Sequence, residues 1–142
     1  KAFQFSKPKV GDLEFSFSGL KTAILYFIQK KVKENPDFIK ENLKDICASI
    51  QYTIIEILMD KIKNAVKQTG IKHVAIAGGV SANSLLRSEL ERIGKQEGWN
   101  TFIPSFQFCT DNAAMIGIAG YFKFLKKDFV GQDIVPDARL KF

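Results

Sequence analysis

The sequence predicts a helix-rich α/β fold, and three observations carry that prediction. Two short apolar runs, "HVAIA" and "TFIP", are each followed by a helical pattern, the order expected where strands alternate with helices. Between them and the N-terminus, apolar residues recur three or four apart from Leu43 to Ala65, the period of one long helix. The chain has 142 residues, 46% of them hydrophobic, which suits one domain, or a large piece of one, able to bury a core.

Residues 1–18 read as a strand pair. Phe3 and Phe5 alternate, Pro8 and Gly11-Asp12 supply a turn, and Leu13, Phe15 and Phe17 alternate again. Residues 19–69 form a helical segment. Its first helix runs from about Gly19 to Lys33, with Ser18 as N-cap and Leu20, Ala23, Ile24, Phe27 and Ile28 on the apolar face. Pro36 breaks it, because the ring disfavours helical geometry at Asn35. The second helix carries the stripe Leu43, Ile46, Cys47, Ile50, Ile54, Leu58, Ile62 and Ala65 and ends at Gly70. Cys47 falls on that stripe and reads as a small core residue.

Residues 70–142 form the α/β segment. Val74 to Ala77 is short, uncharged and partly β-branched, as in a strand buried on both faces of a parallel sheet. The helix after it sets Leu86, Leu90 and Ile93 on one side. "TFIP" is the second strand. The last helix, from about Asn112 to Lys126, is apolar nearly all round and is expected to lie deeply buried.

Bulk properties narrow the function classes. The net charge is +6 and the pI about 9.3, compatible with a nucleic-acid partner without requiring one. Cys47 and Cys109 match no metal or disulfide spacing, which fits a reduced, cytoplasmic protein. No signal peptide is visible, and a start at Lys1 is expected of a fragment or a processed chain. The longest nearly charge-free run, Ala113 to Phe122, is too short to cross a bilayer of roughly 30 Å, so no membrane partner is expected. The only histidine, His73, precedes a buried strand, which argues against a Ser-His-Asp arrangement or a histidine-based metal site within the chain. Lys30, Lys31 and Lys33, and Lys123, Lys126 and Lys127, cluster near predicted helix C-termini, where they complement the helix dipole or form an RNA-facing patch.

Two junctions carry candidate chemistry. In "VAIAGGVSANSLLRSELERI", Gly78 and Gly79 sit between a strand and a helix, with Asn83 just beyond. Glycine there permits unusual dihedrals or lets a ligand touch the backbone, next to the unpaired N–H groups of a helix start. Neither G-x-G-x-x-G nor G-x-x-x-x-G-K-[ST] is present, so a tight turn and a nucleotide site both remain open. In "FCTDNAAMIG", Asp111 is either an N-cap or a carboxylate aimed into a cleft, where it could bind magnesium, iron or zinc. Loops leaving the carboxyl ends of parallel strands line one crevice. If the two strands are parallel neighbours, Asn83 and Asp111 face it together.

The stretches "FSFSGLKTA" (15–23), "AGGVSANSLLR" (77–87) and "CTDNAAMIG" (109–117) closely resemble three motifs of the TsaD family, and "DICASIQ" (45–51) resembles a fourth more loosely. The resemblance spans nearly the whole chain in the family's order. It implies the C-terminal part of a two-lobed, ribonuclease H-like fold shared with actin, sugar kinases and heat-shock chaperone ATPases. It implies transfer of threonylcarbamoyl from threonylcarbamoyl-adenylate to N6 of the adenosine 3′ of the anticodon, in tRNAs that read codons beginning with A. By the same resemblance Asn83 contacts the adenylate, Gly78 and Gly79 let its adenosine part lie against the backbone, and Asp111 is a ligand of one divalent metal, iron by the family pattern, with zinc or magnesium as alternatives. Partners would be tRNA and subunits of the TsaB and TsaE type.

The family's His-x-x-x-His pair and its Ser-Gly-Gly-His-Thr substrate loop are absent, so the metal site is incomplete and no catalytic residue is expected within this chain. The chain alone is therefore expected to be inactive and to self-associate through an open sheet edge or the region of helix 19–33. The alternatives are a metal-dependent glycoprotein endopeptidase, the family's older label, or a non-catalytic domain that binds a partner or tRNA.

Overall fold

A computed structural model describes residues 2–8 and 10–135. Helix α1 spans Phe17–Glu34 and α2 spans Phe38–Thr69. Strand β1 is His73–Ala75, followed by a 3-10 turn at Gly79–Ala82 and helix α3, Ser84–Glu97. Strand β2 is Asn100–Phe102, followed by a 3-10 turn at Phe106–Phe108 and helix α4, Ala113–Leu125. β1 and β2 pair in parallel, with Val74 opposite Thr101.

The core lies where α2 and α3 cover one face of this pair. Ile55, Met59, Val74, Leu86, Leu90 and Ile93 pack together, and Ile62, Val66 and Trp99 close the margin. α3 approaches β2 closely enough that a Cβ at Gly94 would sit 2.5 Å from Thr101 Cγ2, so only glycine fits the contact. The β–α–β order of residues 73–102 is thus the one the sequence predicts.

The structure corrects several expectations. Residues 2–8 and 10–16 form neither helix nor strand. Residues 2–8 and 10–12 run as a strap along α2, and the backbone then turns where the sequence predicts, the Glu14 N–H donating to the Gly11 carbonyl at 3.1 Å. The Phe3 N–H donates to Ser49 Oγ at 3.1 Å, Lys7 pairs with Glu56 and Asp60, the Gly11 carbonyl accepts from Lys61, and Gln68 donates to the Asp12 carboxylate at 3.3 Å. The predicted alternation survives without a partner strand, because Phe3 and Phe5 both pack on Phe27 of α1, and Phe3 also on Phe38 of α2. The N-cap of α1 is Ser16, not Ser18, so the helix begins two residues earlier than predicted.

α2 ends at Gly70 as predicted, in the left-handed region at φ 71°. Cys47, however, is exposed. The face turned to the strap is carried by Ser49 and Thr53, both buried, and the Thr53 hydroxyl donates to the Ser49 carbonyl at 2.8 Å. That bond satisfies a hydroxyl that a hydropathy pattern would place outside. β1 is buried only at Val74, since helices cover a single face of the pair. α4 has no buried residue, against the expectation of deep burial, because no other described element packs against it beyond marginal contact. No helix among the described residues is long and apolar enough to cross a membrane.

Candidate functional site

Both candidate loops leave the carboxyl ends of the parallel pair, so the two junctions lie side by side as the sequence requires for one crevice. At the first, Gly78 has φ 76° and ψ 178°, a conformation only glycine adopts readily. The turn it opens is tied down by Ser81, 1% exposed, whose N–H and hydroxyl both donate to the Gly78 carbonyl at 3.0 and 2.7 Å. Gly79 has ordinary dihedrals, and a Cβ built on either glycine meets nothing within 4 Å. The chain's own geometry therefore fixes glycine at 78 only, and the space over both backbones is open.

Asn83 caps α3. Its Oδ1 accepts from the Leu86 N–H at 3.1 Å and from Gln51 Nε2 at 3.3 Å. Gln51 belongs to the looser motif "DICASIQ", which the fold thus joins to the glycine turn. With Oδ1 occupied and no partner for Nδ2 among the described residues, the amide has two N–H groups to offer a ligand.

At the second junction Asp111 is not the N-cap of α4. Asn112 is, its Oδ1 accepting from the Met115 N–H at 3.0 Å while its Nδ2 donates to the Thr110 carbonyl. The Asp111 side chain is exposed and makes no hydrogen bond or ion pair among the described residues. The capping explanation for this carboxylate is thereby removed. No three His, Cys, Asp or Glu side chains gather to hold a metal among the described residues, so Asp111 alone does not make a metal centre.

Sequence reasoning gave no role to Arg87. Its guanidinium bridges the two loops: Nη1 donates to the Ser81 carbonyl at 2.9 Å and to Cys109 Sγ at 3.8 Å, Nη2 donates to the Pro104 carbonyl at 2.7 Å, and the group stacks 4.3 Å from the Phe106 ring centroid. Cys109, 2% exposed, also donates to the Ser105 carbonyl. An arginine one turn into a helix that follows a glycine turn was the available signal, but its partners lie 17 and 22 residues further on.

Glycine turn, capped helix and second loop at one edge of a parallel pair define an α/β protein whose candidate loops gather at the carboxyl ends of its strands. Residues 1–118 match the family model described as TsaD: tRNA N6-adenosine threonylcarbamoyltransferase, and the chain belongs to that family. A protein of that name from Christiangramia forsetii is 62% identical over all 142 residues, which make up 42% of its length. Similarly named proteins from Cytophaga hutchinsonii and Porphyromonas gingivalis are 53% and 50% identical over 99% and 98% of the chain, and 41% of each is covered. The chain therefore spans about two fifths of the length of these relatives.

Proposed function

We propose that this chain is the part of a tRNA threonylcarbamoyltransferase that holds the adenylate end of threonylcarbamoyl-adenylate, within the C-terminal lobe of an actin-like fold. The observation that carries the reading is the pair of adjacent loops, one presenting the free Asn83 amide beside open backbone at Gly78 and Gly79, the other a free carboxylate at Asp111. The open space over the glycines admits a flat nucleoside, and the Asn83 amide donates to it.

In the reaction, N6 of the tRNA adenosine attacks the carbamoyl carbon, a C–N bond forms, the bond to the phosphate oxygen breaks, AMP leaves and N6 loses a proton. This chain's residues bind and orient the leaving half. Asp111 would give one ligand to a divalent cation, iron with zinc or magnesium as alternatives. With a single donor the chain fits no cation by itself, and no step here passes through one. The adenylate and tRNA are the partners this reading requires, with TsaB-like and TsaE-like subunits as further partners in the cytoplasm. The older endopeptidase label gains no support, since the described residues assemble neither a metal centre nor a base beside one.

The test is a graft in which residues 1–142 replace the matching part of the Christiangramia forsetii relative. The graft should form threonylcarbamoyladenosine in tRNA, read by nucleoside mass spectrometry. Asp111→Asn should abolish transfer while leaving the Asn112 cap intact. Asn83→Asp keeps an oxygen for Leu86 N–H but loses the amide donors, and should weaken adenylate binding by about tenfold or more without unfolding α3. An inactive unmutated graft, or full activity in Asp111→Asn, would overturn the reading.

A further inference from the structure

We propose that Arg87 is the positioning residue of this site, a clasp that sets the Asp111 loop against the Asn83 turn; the proposal rests on the functional reading above. The two loops come from different strands and are joined by no strand pairing beyond Phe102, whose carbonyl accepts from the Ile76 N–H. Past that point the described cross-links all converge on one guanidinium. It takes the Ser81 carbonyl two residues before Asn83, and the Pro104 carbonyl and Cys109 sulfur on the way to Asp111.

The chemistry suits the task. A guanidinium is planar, always charged and carries five donors in a fixed fork, so it can hold two carbonyls from two loops at a set angle. Its stacking on Phe106 fixes the plane of that fork. Lysine has three donors on a compact charge at the end of a flexible stem, with neither a fixed fork nor a plane to stack on Phe106, so it holds the two carbonyls at no set angle. Arg87 is half-buried, and its Nη1 and Nη2 groups are engaged by the Ser81 and Pro104 carbonyls and the Cys109 sulfur, so it acts through the loops that carry Asn83 and Asp111.

Cys109 reports on the clasp, because its thiol lies buried under the arginine whereas Cys47 is exposed. Alkylation of the native chain with N-ethylmaleimide, followed by peptide mass spectrometry, should modify Cys47 readily and Cys109 slowly. Arg87→Ala should speed Cys109 alkylation by about tenfold or more at an unchanged Cys47 rate, the scale of losing charge-assisted bonds. Arg87→Lys should restore part of the protection. Arg92→Ala, on the same helix and outside the site, should change neither rate.

In the graft, Arg87→Ala should lower kcat/KM for transfer by about tenfold or more, and Arg87→Lys should recover it in part. Native-rate Cys109 protection in a folded Arg87→Ala chain, or in Arg87→Lys if the alanine variant does not fold, would overturn the clasp. An open clasp with unimpaired transfer would overturn its positioning role. An unmutated graft without activity would refute the functional reading, while the alkylation result would still decide the clasp.

Discussion

Helices α3 and α4 are built alike and end up in opposite surroundings. Each follows a short apolar run and a 3-10 turn, and each is capped by an asparagine whose Oδ1 accepts the N–H three residues on, from Leu86 in one case and Met115 in the other. α3 buries Leu86, Leu90, Ile93 and Gly94 against α2 and the strand pair, whereas the more apolar α4 buries none of its residues. Local chemistry decides where a helix starts, and burial is decided by what the fold brings to its face. The candidate site uses both helix starts, one on a fixed support and one on a helix with no cover among the described elements.

The largest expected break in the comparison is in the core. Leu90→Ala, at a position 0% exposed, should cost about 2–5 kcal/mol in urea unfolding followed by Trp99 fluorescence. Phe122→Ala, at a position 56% exposed, should stay within about 0.5 kcal/mol and should reduce concentration-dependent light scattering, since α4 leaves a large apolar surface open. Equal costs at the two positions would mean that α4 is buried in solution.

The caps should separate less widely. Asn83→Ala should lower the Trp99-reported stability by about 1 kcal/mol or somewhat more, because the Gln51 bond is lost with the cap. Asn112→Ala should leave that transition unchanged and raise amide exchange only over the first turn of α4. A shifted Trp99 transition in Asn112→Ala would show that α4 is coupled to the core.

The smallest effect is electrostatic and confined to α3. The hydrogen bond and charge of Arg92 hold the Glu89 carboxyl below its usual range, only partly opposed by burial. A folded-state pKa below the unfolded one means that the stabilisation is present above the unfolded value of about 4.3 and is lost as pH falls through the folded value. The pair is partly solvated, so Glu89→Gln should shift Tm by no more than about a degree at pH 7, and by less as pH falls below 4. A larger shift at pH 3 than at pH 7 would contradict this sign.

The legible part of the fold was the part with a period. Three-and-four spacing located α2 and α3, Gly70 marked a helix end, and the parallel pairing that the sequence left as a condition for one crevice is met by β1 and β2. Asn83 and Asp111 could be singled out because each lies where an apolar run gives way to a helix, although Asn112 and not Asp111 caps the second. The strand pair expected over residues 1–18 is absent because alternating phenylalanines require only a backbone with one buried side, which two helices supply as well as a second strand. Cys47 was misplaced because the buried face of α2 passes through Ser49 and Thr53, hydroxyls that become internal only once they find partners. Arg87 could not be read at all, since its role exists only when residues 81 and 104–109 meet.

The strap along α2 makes the chain its own measuring rule. From Phe3 to Asp12 a fully stretched backbone reaches about 30 Å, and from Ser49 to Gln68 α2 rises about 28 Å. The two scales, one of long divisions and one of short, coincide at several fastenings between those ends. The margin is about one residue, so shortening and lengthening the strap are unequal events. Deleting one residue between Phe3 and Asp12 draws on the reach of the Lys61 and Gln68 side chains to keep the far fastenings, whereas an inserted residue can loop outward and leave every fastening in register.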